Sequence, residues 1–262
     1  MTIGFIGTGN MGGALMHAFA TLSEHTLIAY NRGREKLLAV CDATGAKPCD
    51  SAAETAEKSD ILVLAVKPAG MGALLEEVSP VLRPEQLIVT IAAGLPISFY
   101  TQRLGDRAKV VRTLPNVPAQ VQAGMTPMCF ADNVTPAEQA LAQSIFAAAG
   151  RTEVIPESLM DPVCTLTGCS PAFVFLFLEA MADASVQAGI PRQQAYRMAA
   201  QAVMGSAKLM LETGQHPGAL KDAVCSPGGT TIRGVSKLEE TGFRGCVIQA
   251  MEASTAANRA IK

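Results

Sequence analysis

The 262-residue chain has little charge of either sign. Charged residues make up 17% against 49% apolar, and 21 Lys and Arg nearly balance 23 Asp and Glu, for a formal net charge of −2. With no basic excess there is no electrostatic footprint for nucleic acid. So large an apolar fraction excludes a disordered tail. Histidine is scarce: His17, His25 and His216 stand far apart, without zinc-ligand spacing, and no metal is expected. No C-x-x-C occurs among Cys41, Cys49, Cys129, Cys164, Cys169, Cys225 and Cys246. Their odd number and scattered spacing suit reduced thiols acting as small core residues, not a disulfide framework. The start "MTIGFIGTGN" has no basic n-region and turns glycine-rich too early for a signal peptide. The most apolar run, "PAFVFLFLEAMADA", meets Glu179 and Asp183 short of the ~20 residues of a membrane span and reads as a buried core helix. These absences leave a soluble, cytoplasmic protein that binds neither nucleic acid nor membrane.

What is present falls into two rhythms. In the first half, short continuous apolar runs ("TIGFIG", "TLIAY", "DILVLAV", "LIVTIAAG", "KVVRTL") alternate with helix-like stretches over 10–22, 34–41, 51–58, 70–79 and 98–104. Continuous Ile- and Val-rich runs are those of strands buried on both faces of a parallel sheet, so the fold class is α/β, a doubly wound Rossmann sheet. "GMTPMCFA" is expected as an edge strand, and "TPAEQALAQSIFAAAG" as a helix capped by Thr135, begun by Pro136 and stopped at Gly150. After about Pro156 the strands give out. Long Ala- and Met-rich helical stretches follow, from Ser170-Pro171 to Gly189, from Pro191 to Gly214, and from Phe243 to Lys262. We therefore expect a cofactor-binding domain over 1–155 and an all-α domain over 156–262. The second is short and apolar enough to bury a face against another subunit.

"FIGTGNMGG" carries Gly7-x-Gly9-x-x-Gly12 directly after a strand and at the start of a helix, the context a dinucleotide fingerprint requires. Gly7 makes the tight turn, Gly9 admits a pyrophosphate, and Gly12 lets helix and strand close up; Thr8, Asn10 and Met11 complete the loop, and the helix N-terminus supplies N–H groups and a positive dipole. The second strand ends "IAYNRGREK". Asn31 stands where an acid would hold a ribose 2′-OH, and Arg32, Arg34 and Lys36 follow. An acid repels a 2′-phosphate whereas arginine grips it in a fork, so NADP(H) is the preferred cofactor, with NAD(H) as the lesser alternative. Other strand ends join this edge: Ala65, Val66, Lys67 and Pro68 in "AVKP", Ala92, Ala93 and Gly94 in "AAG", and Asn116 in "RTLPN". The same residues would serve as ordinary strand-ending turns.

Taken with "LKDAVCSPGGTTIRGVSKLE" and "GQHPGALKD", these motifs resemble the pyrroline-5-carboxylate reductases, over nearly the whole chain. The resemblance implies a Rossmann domain followed by a helical domain, an intertwined homodimer often assembled into rings of dimers, and a site between one subunit's cofactor and helices of the dimer. It implies NAD(P)H-dependent reduction of 1-pyrroline-5-carboxylate, a small-molecule substrate, to L-proline in the last step of proline biosynthesis. Two departures stand out: "TGCSPAF" (167–173) replaces the more usual Ser-Gly-Ser-Gly-Pro-Ala-Tyr, and Ala223 stands where some relatives carry Asn.

"CSPGGTT" then has a use. Ser226 is placed like an N-cap and Pro227 like a first helical residue, while Gly228 and Gly229 leave N–H groups uncovered at a helix start, an anion site suited to a ring carboxylate. Thr230 and Thr231 add hydroxyls, and the resemblance assigns the ring-nitrogen hydrogen bond to Thr231. The proton that makes the imine a better hydride acceptor comes either through Thr231 or with the substrate. Glu157 is placed near the substrate by resemblance alone, and as a helix-start acid it needs no such role. A rival class, the β-hydroxyacid dehydrogenases, uses a Lys followed by an Asn; Lys208 in "GSAKLMLE" lacks that Asn and reads as a solvated helix residue. A non-enzymatic NADP-sensing module would leave "SPGGTT" without purpose.

Overall fold

The structure is a computed structural model that describes residues 1–260. The first half forms β1 (Thr2–Ile6), α1 (Asn10–Phe19), β2 (Thr26–Tyr30), α2 (Arg34–Thr44), β3 (Lys47–Pro48), α3 (Ala52–Lys58), β4 (Ile61–Leu64), α4 (Met71–Val78), β5 (Leu87–Thr90), α5 (Ile97–Leu104) and β6 (Lys109–Thr113). Next come β7 (Gly124–Phe130), α6 (Pro136–Phe146) and β8 (Gly150–Val154). They make one eight-stranded sheet in the order β3-β2-β1-β4-β5-β6-β7-β8. All neighbours are parallel except β6 and β7. The doubly wound sheet read from the apolar runs is present.

Alternation along each buried strand feeds two cores. Ile3 and Phe5 of β1 and Ile61 and Val63 of β4 pack with α1, α2 and α6 through Leu15, Phe19, Leu37, Ile145 and Phe146. Ile6, Leu62 and Leu64 face the other way and meet Met71, Leu75 and Val78 of α4 and Tyr100 of α5. Each such side chain removed from water contributes about 1.5–3 kcal/mol, which is why these short strands need no polar face.

Two corrections concern the sheet. β7 is not an edge strand, because β8 pairs with it from Gly124↔Gly150 to Met128↔Val154. β8 reads "GRTEV" and no residue in it is fully buried, so it lacks the apolar run by which the other strands are found. β3 is two residues long and was likewise not expected.

The chain divides into two compact units, residues 1–168 with 255–262 and residues 169–254. In the first, α7 (Met160–Val163) runs into a π-helical turn, Cys164–Cys169. The second holds α8 (Ser170–Gln187), α9 (Arg192–Thr213), α10 (Pro217–Ala223) and α11 (Thr230–Glu240); α12 (Phe243–Ala260) returns its last residues to the first unit. Residues 261 and 262 of the expected last helix lie outside the described residues. No disulfide forms among the described residues.

The run "PAFVFLFLEAMADA" does not behave as expected. Phe175 is 58% exposed and Leu176 68%, so within the chain α8 is no buried core helix. The helical stretch Glu157–Gln187 reaches a mean hydropathy of 1.6 with 6% of its most apolar window buried, enough by length and composition alone to cross a membrane. Its low burial leaves a large apolar face for another surface to cover.

Candidate active site

The carboxyl ends of β1, β2, β4 and β5 lie in register, with Ile6 opposite Tyr30 and Leu64, and Leu64 opposite Thr90. The expected residues follow these ends: 7–11 after β1, Asn31 and Arg32 after β2, Ala65 to Pro68 after β4, 92–94 after β5 and Asn116 after β6.

The three fingerprint glycines differ in what forces them. Gly7 has φ +106°, and a Cβ there would lie 2.6 Å from the Ala65 carbonyl oxygen. A Cβ on Gly12 would lie 2.3 Å from the Gly7 carbonyl oxygen, which is the close helix–strand approach the motif needs. At Gly9 a Cβ would meet nothing within 4 Å, so no group of this chain explains the glycine there. Gly9 is the N-cap of α1 and offers no side-chain cap, leaving the first-turn amides available to an anion. Thr8 is buried, and its Oγ1 has no hydrogen-bond partner. Asn31 acts as a strut: its Oδ1 accepts the Thr8 N–H at 3.3 Å and its Nδ2 donates to the Gly33 carbonyl at 3.1 Å.

A cleft of about 350 Å³ gathers Gly7, Asn31, Arg32, Val66 and Lys67. Arg32 is exposed and has no ion pair among the described residues. Arg34 is turned to Asp50 (3.1 Å) and the Cys49 carbonyl (3.3 Å). Ala92, Ala93, Gly94 and Asn116 do not line the cleft, nor do Thr8 to Met11. Tyr30, Ala52, Leu74 and Glu77 do, and sequence reading did not single them out. Leu74 had a signal: with Met71, Leu75 and Val78 it makes the i, i+3, i+4, i+7 stripe of α4.

The 92–94 turn is braced from beneath. The Ala92 N–H donates to Thr90 Oγ1 (3.2 Å), which is 2.6 Å from the buried Tyr100 hydroxyl. Burial pushes the Tyr100 hydroxyl up to about 12, although Thr90 and Arg112 favour the ionised form. Arg112, 4% exposed, donates to Glu157 (3.1 Å) and Asp161 (3.4 Å), and Glu157 also accepts the Ile97 N–H at 2.7 Å. Glu157 thus has a structural task in tying β6 to α5.

In the second unit the "SPGGTT" segment departs from the expected capping. Ser226 is not the N-cap and Pro227 is not helical. Gly229 donates its N–H to the Ser226 carbonyl (3.0 Å), closing a tight turn with Pro227 second and Gly228 third at φ +67°. Pro-Gly favours that turn over a helix start. α11 begins at Thr230 with Gly229 as a bare N-cap. The first-turn amides of α11, and the exposed Thr230 and Thr231, therefore face no internal cap, and neither threonine hydroxyl has a hydrogen bond among the described residues. Lys208 sits 3.7 Å from Glu212 in an exposed i, i+4 pair, the solvated role expected of it.

The family described as pyrroline-5-carboxylate reductase dimerisation matches residues 157–261, and that described as NADP oxidoreductase, coenzyme F420-dependent, matches 2–94. The chain is 48% identical to the pyrroline-5-carboxylate reductase of Escherichia coli (strain K12) over 252 residues, 95% of this chain and 94% of that one. It belongs to the pyrroline-5-carboxylate reductase family. The family's solved structures agree: that of the Coxiella burnetii reductase superposes with TM-score 0.93 at 30% identity, covering 99% of this chain and 98% of that one. The Plasmodium falciparum enzyme, solved with NADP bound, gives 0.87 at 32%, covering 99% and 97%.

Proposed function

We propose that this chain reduces 1-pyrroline-5-carboxylate to L-proline with NADPH. The observation that carries the reading is the bare start of α11, where uncovered amides and two unengaged threonine hydroxyls stand side by side in a reductase family member. A carboxylate is the ligand such a helix start favours.

The β1–α1 loop fits the cofactor. Gly9 leaves room that nothing in the chain fills, Thr8 Oγ1 is buried and unpartnered, and Arg32 stands free at the cleft rim. Residues 7–11 would hold the pyrophosphate and Arg32 the 2′-phosphate, with residues 65–68 and 92–94 along the same sheet edge. When bound, NADPH supplies the hydride. The work of this chain is orientation. The N–H groups of Thr230 and Thr231, which open α11, hold the ring carboxylate, Gly228 and Gly229 let the ring approach, and the Thr231 hydroxyl bonds the ring nitrogen. No Asp, Glu or His lies in residues 224–231. The ring nitrogen gains its proton through the Thr231 hydroxyl or brings it from solution, and a kcat/KM profile following the substrate's own ionisation in Thr231→Ala as in wild type selects the second.

The exposed apolar face of α8 is covered in a homodimer, and dimers associate further. Residues 1–155 serve the cofactor and 156–262 the substrate and the dimer, in a cytoplasmic enzyme of proline biosynthesis. Loss of NADPH absorbance on adding 1-pyrroline-5-carboxylate tests the reading; turnover of a β-hydroxyacid with NADP⁺, and none of the imine, would overturn it.

A further inference from the structure

The helix leaving the sheet is irregular, and one side chain from β6's end compensates for it. In a regular helix the carbonyl of Thr167 would accept the N–H of residue 171, but residue 171 is proline and has none. Asn116 Nδ2 donates to that carbonyl at 2.9 Å. The other end of the same amide, Oδ1, accepts the Met125 N–H at 2.9 Å, at the start of β7. Asn116 is buried, so either backbone group left without it would be costly. The π-helical turn is held on other sides as well: Thr167 Oγ1 donates to the Val163 carbonyl (3.0 Å), the Thr255 and Thr165 hydroxyls are 3.0 Å apart, and Asn258 Nδ2 donates to the Asp161 carbonyl (3.4 Å).

We infer that Asn116 is a positioning residue for the reduction: its amide stands in for the helix donor that Pro171 removes, and so fixes the π-helical turn through which the chain passes into the unit carrying Thr231. The inference rests on the role proposed above for residues 226–231. It replaces the cofactor contact expected of Asn116 from its place at a strand end, because both ends of the amide are engaged by this chain's own backbone. Gly168, in the same turn, is the last residue of the first unit. A slack turn at this point loosens the start of α8 while leaving the fingerprint loop intact.

The test uses the full-length enzyme. Asn116→Ala is expected to lower kcat/KM for the imine about tenfold or more, as for lost positioning, with the Kd for NADPH within about twofold of wild type. Asn116→Asp, which sets a carboxylate oxygen against the Thr167 carbonyl, falls at least as far. Pro171→Ala restores an N–H to that carbonyl. Added to Asn116→Ala it is expected to recover about threefold or more of the lost kcat/KM, the coupling of two sites that share a partner. An NADPH Kd that rises in step with the lost activity would make Asn116 a cofactor ligand and overturn the inference. So would a double variant no better than Asn116→Ala in both activity and thermal midpoint. Should Asn116→Ala not fold, Asn116→Ser with and without Pro171→Ala carries the same comparison. The thermal midpoints read the coupling even if the imine proves not to be the substrate.

Discussion

Helices α1 and α11 start on glycines with nearly the same backbone, φ −71° and ψ −172° at Gly9 and φ −71° and ψ 175° at Gly229. Neither has a side-chain cap or an acid in its first turn. Their surroundings are opposite. Seven residues of α1 are buried, from Gly12 to Phe19, while none of α11 is. The same uncapped start is thus packed by the chain's own core in one place and left exposed in the other, within the segment that matches the family's dimerisation domain. α6 shows what a helix start looks like when it serves structure alone. There Thr135 and Glu138 form a capping box, with the Thr135 N–H donating to Glu138 Oε2 at 2.9 Å.

The comparison breaks most easily at Gly12. Gly12→Ala drives a methyl against the Gly7 carbonyl, an overpacking cost of about 2–4 kcal/mol that lowers the thermal midpoint and abolishes NADPH binding. Gly9→Ala meets no protein atom within 4 Å and leaves the midpoint near wild type, yet weakens NADPH in a fluorescence titration. Equal midpoints for the two variants would dissolve the distinction between packing glycine and ligand glycine.

Next in size is Thr231→Ala, expected to lower kcat by about 10–10³ for lost hydrogen-bond positioning, with unchanged NADPH affinity. Unaltered turnover removes Thr231 from the site. Arg32→Ala is expected to reduce kcat/KM with NADPH about tenfold or more and with NADH little, because only the former carries the 2′-phosphate. Equal losses count against Arg32.

The smallest effect belongs to α6. Thr135→Ala costs about 1 kcal/mol in denaturant unfolding and leaves both substrates' KM unchanged. Burial would raise the Glu138 carboxyl, but its hydrogen bonds to Lys109 and Thr135 outweigh that and hold it below the usual glutamate range. A carboxyl lowered on folding stabilises above its unfolded value and ceases to as pH falls through its folded one. The cap's contribution is therefore present at neutral pH and fades only in acid, and Glu138→Gln flattens that part of the pH–stability curve.

Much of this was legible in the residues. Continuous runs such as "DILVLAV" announce two-faced burial, and glycines seven, nine and twelve sit where a strand hands over to a helix. What escaped has physical reasons. β8 is held by pairing with β7 and carries no apolar run. The true start of α11 is hidden because Ser-Pro reads as a cap and first turn, whereas Pro-Gly closes a turn of its own first. α8 is apolar enough for a core, and composition does not say whether the covering surface is in the same chain. The partnership of Asn116 with Thr167 spans 51 residues, beyond the reach of any local pattern.

The central claim is that the amides opening α11 hold the substrate's carboxylate. The direct measurement compares kcat/KM for 1-pyrroline-5-carboxylate with that for 1-pyrroline, which lacks the carboxylate, in wild type and in Gly229→Asp, whose Cβ turns the Ser226 hydroxyl aside (2.3 Å away) and whose carboxylate is offered to those amides. The wild type is expected to favour the carboxylate by about 10² or more, the range of charge-assisted contacts to positioned amides, and the variant by less than about tenfold. A preference that survives unchanged in Gly229→Asp would contradict the account.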